Sequence, residues 1–390
     1  MNITYRTDKD ILYIAIEGRI DASNSTPAEE RITAIRSEHA GKHTVFDADR
    51  LEYISSAGLR VILKVRKEDA DLAIINVSPD VYDVLDMTGF TDMITVEKAY
   101  RRMSIDGCEF IAKGANGAVY RYDNETILKT YFSKDALPEI KQERENARRA
   151  FVLGINTAIP YGIVRVGDGY GTVTELLDAV NVTRLICDNP GDLDQPVEYY
   201  VQLLKSIHAV EAEEGYFKNM RHTALEWAKF VGQHIPQEQG KKLYSLIEKL
   251  PDSNTLLHGD YHTNNVMIQN GEPLLIDLDT LCVGHPIFEL GSMYNAFLGF
   301  SEFDHGEIKK FMGYDRETSQ KFWNKAIRKY LGTDDEQYVS EVVDKARVLG
   351  YTRLLRRYIR RADEDGAKER IAHYKKRLAE VLERVNTLEF

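Results

Sequence analysis

The first hundred residues alternate short apolar runs with longer amphipathic ones. Residues 11–17 (ILYIAIE), 44–47 (TVFD) and 72–77 (LAIINV) read as strands, while 28–38 and 58–67 space their apolar residues as a helix does. This alternation predicts an α/β layer over about residues 1–100. From residue 110 the pattern changes to FIAKGANGAVYRYDNETILKTYF, three strands joined by the turns Gly114-Ala115-Asn116-Gly117 and Asp123-Asn124-Glu125, with Lys129 on the third. Helical spacing follows over 136–153, and 171–178 (GTVTELLD) reads as a strand running out into polar sequence. Residues 193–250 and 301–390 are helical in period, rich in aromatics and poor in strand signals. The chain therefore reads as two domains, about 1–100 and 105–390, the second α+β with a small antiparallel lobe (about 105–178) and a mainly helical one (about 179–390).

Composition agrees with a folded protein: 390 residues, 43% hydrophobic and 29% charged. The formal charge of −11, from 51 basic and 62 acidic residues, argues against broad affinity for nucleic acid or anionic membranes. Residues 1–100 hold 12 basic and 18 acidic residues, net −6, so much of the acidity sits in the first domain. The tail is the reverse: residues 341–390 hold 13 basic and 9 acidic residues, net +4, around Arg353, Arg356, Arg357, Arg360 and Arg361. That run reads as the solvated side of an amphipathic helix, or as a site for an acidic acceptor. Three widely spaced cysteines, Cys108, Cys187 and Cys282, give neither a disulfide framework nor a zinc site. With no leader pattern and no apolar run near 18 residues, the expectation is a cytoplasmic protein without membrane insertion.

Candidate chemistry concentrates in two stretches, His258-Gly259-Asp260-Tyr261-His262-Thr263-Asn264-Asn265 and Ile276-Asp277-Leu278-Asp279. A carboxylate, an amide five residues later and a second carboxylate twelve residues beyond that can orient an acceptor hydroxyl and hold Mg²⁺ on a nucleotide phosphate. Asp260 is the candidate base; Asn265 and Asp277 are candidate metal ligands; Asp279, read as projecting to the same side of an extended strand as Asp277, is a third. His258 reads as fixing the loop. Upstream, Gly114 and Gly117 allow close approach of backbone to phosphate, and Lys129 offers a point charge to it. Each piece has a plainer reading, as a β-meander, a turn with a buried histidine or capping carboxylates; the ordered set favours phosphoryl transfer.

Two resemblances follow from these residues. Leu51-Glu52-Tyr53-Ile54-Ser55-Ser56-Ala57-Gly58-Leu59, with Val81-Tyr82-Asp83-Val84-Leu85-Asp86-Met87-Thr88-Gly89-Phe90, resembles the STAS domain of anti-sigma factor antagonists over about residues 1–100. That resemblance implies a partner-binding regulatory module with Ser56 at the phosphoacceptor position and Ser55 where that family has Asp; helix capping is the plainer role for both serines. HGDYHTNN followed by IDLD is similar to the aminoglycoside phosphotransferase and choline kinase superfamily, of protein kinase-like bilobal fold, over about 105–390. Gly284-His285-Pro286-Ile287-Phe288-Glu289-Leu290-Gly291 fits the stretch that follows, with Glu289 where that superfamily has Asp. The resemblance implies ATP and Mg²⁺ as cofactors, Asp260 as catalytic base, Asn265 and Asp277 on the metal, Lys129 on phosphate with Glu143 as its partner, and residues 175–177, including Glu175 and Leu177, beside the adenine.

Three functions are open to such a chain. The first is a phosphotransferase acting on a hydroxyl of a small molecule. The second is a kinase whose target is Ser56 of this or a related domain. The third is a non-catalytic regulator that senses nucleotide.

Overall fold

The computed structural model describes residues 1–114, 116–133, 136–364 and 366–390. Ala115, in the expected glycine turn, lies outside the described residues. The chain divides into two compact units, Met1–Met103 and Ser104–Phe390.

In the first unit β1 (Asn2–Asp8) pairs antiparallel with β2 (Ile11–Ile20), which pairs in parallel with β3 (His43–Ile54). Parallel pairing continues through β4 (Ala73–Val77) to β5 (Thr95–Lys98), in the order β1-β2-β3-β4-β5. Helices α1 (Ser25–Glu38), α2 (Ser56–Glu68) and α3 (Pro79–Met87) connect the parallel strands, as such crossovers require. The strand signal read over 44–47 extends to Ile54, because Ala48, Leu51 and Ile54 continue to bury apolar side chains. The core is aliphatic, with Ile14, Ile32, Ile35 and Val77 fully buried.

In the second unit, β6 (Glu109–Lys113), β7 (Gly117–Arg121), β8 (Thr126–Tyr131), β9 (Pro160–Val166) and β10 (Gly169–Glu175) form antiparallel pairs in the order β9-β10-β8-β7-β6. Helix α4 (Leu137–Val152) packs on β9 and β10 and buries Ile140, Asn146 and Ala150. The helical lobe contains α5 (Asp194–His208) and α6 (Met220–Gly232), followed by the strands β11 (Leu256–Leu257), β12 (Val266–Gln269), β13 (Glu272–Leu275) and β14 (Cys282–Val283). Strand β11 pairs with β14, and β12 with β13. Then come α7 (Ile287–Phe297), α8 (Arg316–Leu331), α9 (Glu336–Arg360) and α10 (Ala367–Arg384). Every residue of α7 is buried, the state expected of a helix that is apolar nearly all round. Long α9 lies along it, so the loops beside α7 stand on a rigid floor.

Candidate active site

Lys129 on β8 and Glu143 on α4 meet because the buried face of α4 fixes the helix against the sheet. Lys129 Nζ lies 2.7 Å from Glu143 Oε1 and 3.7 Å from Asp277 Oδ1. The second Glu143 oxygen accepts a hydrogen bond from the Tyr131 hydroxyl at 2.8 Å. Burial works against the lysine's charge, but Glu143, then Tyr131 and Asp277, outweigh it and hold the ammonium well above its ordinary pKa. Glu145 takes no part, being engaged by Arg148 and Arg149.

The 258–265 loop is tied down by its own histidine. His258 Nδ1 accepts from the Asp260 amide at 3.2 Å, which leaves Nε2 to donate to the Ile276 carbonyl at 3.2 Å. That second bond joins the Asp260 loop to the residue preceding Asp277, as does the bond from the Ile276 amide to the Asn265 carbonyl at 3.0 Å. Gly259 has φ +82°, and a Cβ there would stand 2.5 Å from the Thr280 carbonyl oxygen, so only glycine fits. Asn265 ends a short 3₁₀ turn and donates its amide to the Asp260 carbonyl at 3.1 Å, which leaves Oδ1 as its atom for a cation. His262 Nε2 stands 3.6 Å from Asp260 Oδ2 and 3.3 Å from Asn265 Nδ2. Removal of water around Asp260 opposes its charge, but the His262 hydrogen bond and the Arg353 guanidinium bring its pKa down to about 2.

One expectation about the second carboxylates is corrected. Asp277 and Asp279 do not share an extended strand: β13 ends at Leu275, Asp277 adopts a left-handed backbone with φ +62°, and Asp279 lies in a turn. The two stay electrostatically coupled all the same. Burial, then the charge of Asp277 and of Glu143, pushes the Asp279 pKa up to about 6. Crowded carboxylates of this kind are relieved by a cation, and the oxygen donors of Asn265, Asp277 and Asp279 are of the hard type that Mg²⁺ takes. Among the described residues, no three His, Cys, Asp or Glu side chains converge as a preformed metal cage.

The hairpin glycines have unequal roles. A Cβ on Gly117 would lie 2.0 Å from the Thr130 carbonyl oxygen, so Gly117 is required by strand pairing, whereas one on Gly114 would meet the Gly117 carbonyl oxygen at an ordinary 4.0 Å. At the end of β10, the Glu175 amide donates to the Ile159 carbonyl at 3.0 Å and the Leu176 amide to the Glu125 carbonyl at 2.7 Å.

Three contributing residues were not singled out for these positions by sequence. Buried Glu289, on α7, accepts from the amides of His258 (2.5 Å) and Gly259 (3.1 Å), and His208 Nε2 lies 4.0 Å away. Its signal was an acid inside the apolar run PIFELG. Arg353, on α9, is not on a wholly solvated face: Nη1 donates to the Gly259 carbonyl (2.8 Å) and to Ser292 Oγ (2.6 Å), and Nη2 stands 3.5 Å from Asp260 Oδ1. Asn146, on α4, donates to the Leu278 carbonyl at 3.0 Å and so holds the Asp277 turn against the helix; nothing local marks it. Ser56 lies in the first unit as the exposed first residue of α2, with Ser55 Oγ accepting from the Ala57 and Gly58 amides at 3.2 and 3.5 Å.

A five-strand lobe with its lysine paired to a helix glutamate, followed by a helical lobe carrying the Asp260 and Asp277 loops, defines a protein kinase-like fold. Residues 107–317 match the phosphotransferase enzyme family, and the chain belongs to it. Residues 2–103 match the STAS domain. Over 100 residues, 25% of this chain and 85% of the relative, the first unit is 30% identical to a candidate anti-sigma factor antagonist, BtrV, of Bordetella bronchiseptica. Among solved structures, an ADP-bound aminoglycoside phosphotransferase of type 2''-Ib is 14% identical, with a TM-score of 0.49 over 77% of this chain and 98% of that one. Amicoumacin kinase, solved with AMP-PNP and Ca²⁺, is 18% identical with a TM-score of 0.47 over 78% and 94% of the two chains. A choline/ethanolamine kinase family protein of Mesorhizobium loti is 13% identical, at 0.47 over 71% and 88%. No helix among the described residues is long and apolar enough to cross a membrane.

Proposed function

We propose that the second unit transfers the γ-phosphoryl group of ATP, with Mg²⁺, to a hydroxyl of a small molecule. The observation that carries this reading is the contact of Lys129 with both Glu143 and Asp277, on a turn that His258 ties to the Asp260 loop. Glu143 holds the lysine extended, so its ammonium reaches a phosphate oxygen without ordering cost at the moment of binding. Asn265 Oδ1, Asp277 and Asp279 would hold Mg²⁺, which when bound neutralises charge on the β- and γ-phosphate oxygens. Because the Glu175 and Leu176 amides are already spent on protein carbonyls, Leu177 is left to donate to the adenine edge. Asp260 accepts the hydrogen bond of the acceptor hydroxyl and takes its proton late, as suits a carboxylate of low pKa in a loose transition state.

Nucleotide binding tests this. Titration of wild type with an ATP analogue and Mg²⁺ is expected to give saturable heat, and Lys129→Ala and Asp277→Ala are each expected to weaken binding by about tenfold or more. A wild type that ignores nucleotide, or variants that bind it equally well, would end the proposal.

A second reading concerns the STAS unit as a partner-binding switch in which Ser56 carries phosphate. It is favoured because Ser55 carries the helix cap, leaving the exposed Ser56 hydroxyl outside it, where an added phosphate meets the positive end of α2. Incubation with ATP and Mg²⁺ followed by intact-mass analysis is expected to show one added phosphate on wild type and none on Ser56→Ala. No gain on wild type, or the same gain on both, rejects it.

A further inference from the structure

The rim of the Asp260 loop is strongly basic on one side. Arg353, Arg356 and Arg360 follow at three and four residue intervals on α9 and so share one face of that helix. Trp227, on α6, stands opposite: the Arg353 and Arg356 guanidinium carbons lie 5.9 and 5.5 Å from its ring centre. Arg353 is committed to the loop through Gly259, Ser292 and Asp260. Among the described residues, neither Arg356 nor Arg360 has a carboxylate partner. Arg356 is half-buried, and burial, then the charges of Arg360 and Arg353, depresses its pKa. A guanidinium held against an indole among like charges, without a counter-ion, is a site short of one anion.

We infer that the acceptor is itself an anion: a small molecule whose hydroxyl reaches Asp260 while its carboxylate or phosphate pairs with Arg356, flanked by Trp227 and Arg360. Helical rise sets the scale, since Arg356 lies on the order of 5 Å along the axis from Arg353, the reach of a hydroxy acid or a sugar phosphate. The same charges repel a polycationic acceptor. This rests on the phosphotransferase reading above. In the transfer, the acceptor oxygen forms a bond to the γ-phosphorus and the bond from that phosphorus to the β–γ bridging oxygen breaks. Its electron pair leaves on ADP, and the hydroxyl proton passes to Asp260. Arg356 takes part in none of these bonds and acts by binding the anion.

The test uses the full chain, ATP, Mg²⁺ and ADP release. Glycerate, malate, glycerol 3-phosphate and glucose 6-phosphate are set against glycerol, glucose, choline and kanamycin. The expected result is turnover with members of the anionic set, separating the carboxylate from the phosphate source, with a KM that rises with added salt. Arg356→Gln is expected to raise that KM by about 10- to 100-fold, and Arg356→Lys by less, with the ATP-analogue Kd and thermal melt of both at wild-type values. Preference for neutral or cationic acceptors, phosphate appearing only on protein, or an unchanged KM in Arg356→Gln overturns the inference while the phosphotransferase reading stands. Absence of both nucleotide binding and turnover overturns the two together.

Discussion

Asp260→Ala is expected to lower turnover by about 10²- to 10⁴-fold while leaving affinity for the ATP analogue at its wild-type level. The split follows from where the side chain stands. Among the described residues the ion-pair partners of Asp260 are His262 and Arg353, not Lys129, on the side of the loop that the proposal gives to the acceptor. Its carboxylate is kept ionised by the His262 hydrogen bond and the Arg353 guanidinium, so it is always ready to accept the hydroxyl's hydrogen bond. Removing it takes away orientation and the proton acceptor together, and neither is needed to hold nucleotide. Asp260→Asn keeps the shape but cannot take a proton, and should fall between wild type and alanine. Steady-state ADP release with the best acceptor, beside analogue titration, reads both quantities. Retention of more than about a tenth of wild-type turnover in the alanine variant would remove Asp260 from the role of base.

The second large effect is on stability. Glu289→Ala is expected to cost roughly 3–5 kcal/mol, because it strips the shared acceptor from the buried His258 and Gly259 amides and leaves a void in a helix whose every residue is buried. For a unit of this size that is a fall in Tm of roughly 6–15 °C. Burial opposes the charge on Glu289, but His208, His258 and the Gly259 amide hold its carboxyl below the ordinary range. A depressed folded pKa stabilises above the unfolded value of about 4.3 and loses that contribution as pH falls through the folded value. The gap in Tm between wild type and Glu289→Ala is therefore expected to be full at neutral pH and to narrow below about pH 4. Calorimetry at several pH values measures it. A variant that melts with wild type at pH 7 would show that the loop is held without Glu289, by His258, Asn265 and Arg353. Glu289→Asp, one methylene shorter, should lose part of the stability and keep a folded loop.

Much of the candidate site's geometry was legible in residue order because its contacts are local. The spacing from His258 to Asn265 closes a loop on itself, and strand and helix periods around Lys129 and Glu143 place those side chains toward each other once the helix packs. The boundary near residue 103 was readable for a similar reason: each side carries its own apolar pattern and its own core. Less was legible where one residue type serves two ends. Glycine at 117 looked like room for phosphate, and the fold uses it for a strand pressed against Thr130.

The sequence by itself determined the two units, the order of their elements and the residue types that converge on the cleft, because periodicity, turn chemistry and short-range spacing are properties of neighbours along the chain. Only the tertiary structure decided which distant groups hold those residues in place. Glu289 reaches back some thirty positions to the loop amides, Arg353 some ninety to Gly259, and Asn146 more than a hundred to the Asp277 turn. It also decided that Asp277 leaves its strand in a left-handed turn, and that the basic helix of the C-terminal region turns Arg353 and Arg356 toward Trp227, and Arg353 onto the Asp260 loop. Those contacts are made by packing of elements far apart in sequence, and no local pattern records which partner a buried donor or an unpaired guanidinium will meet.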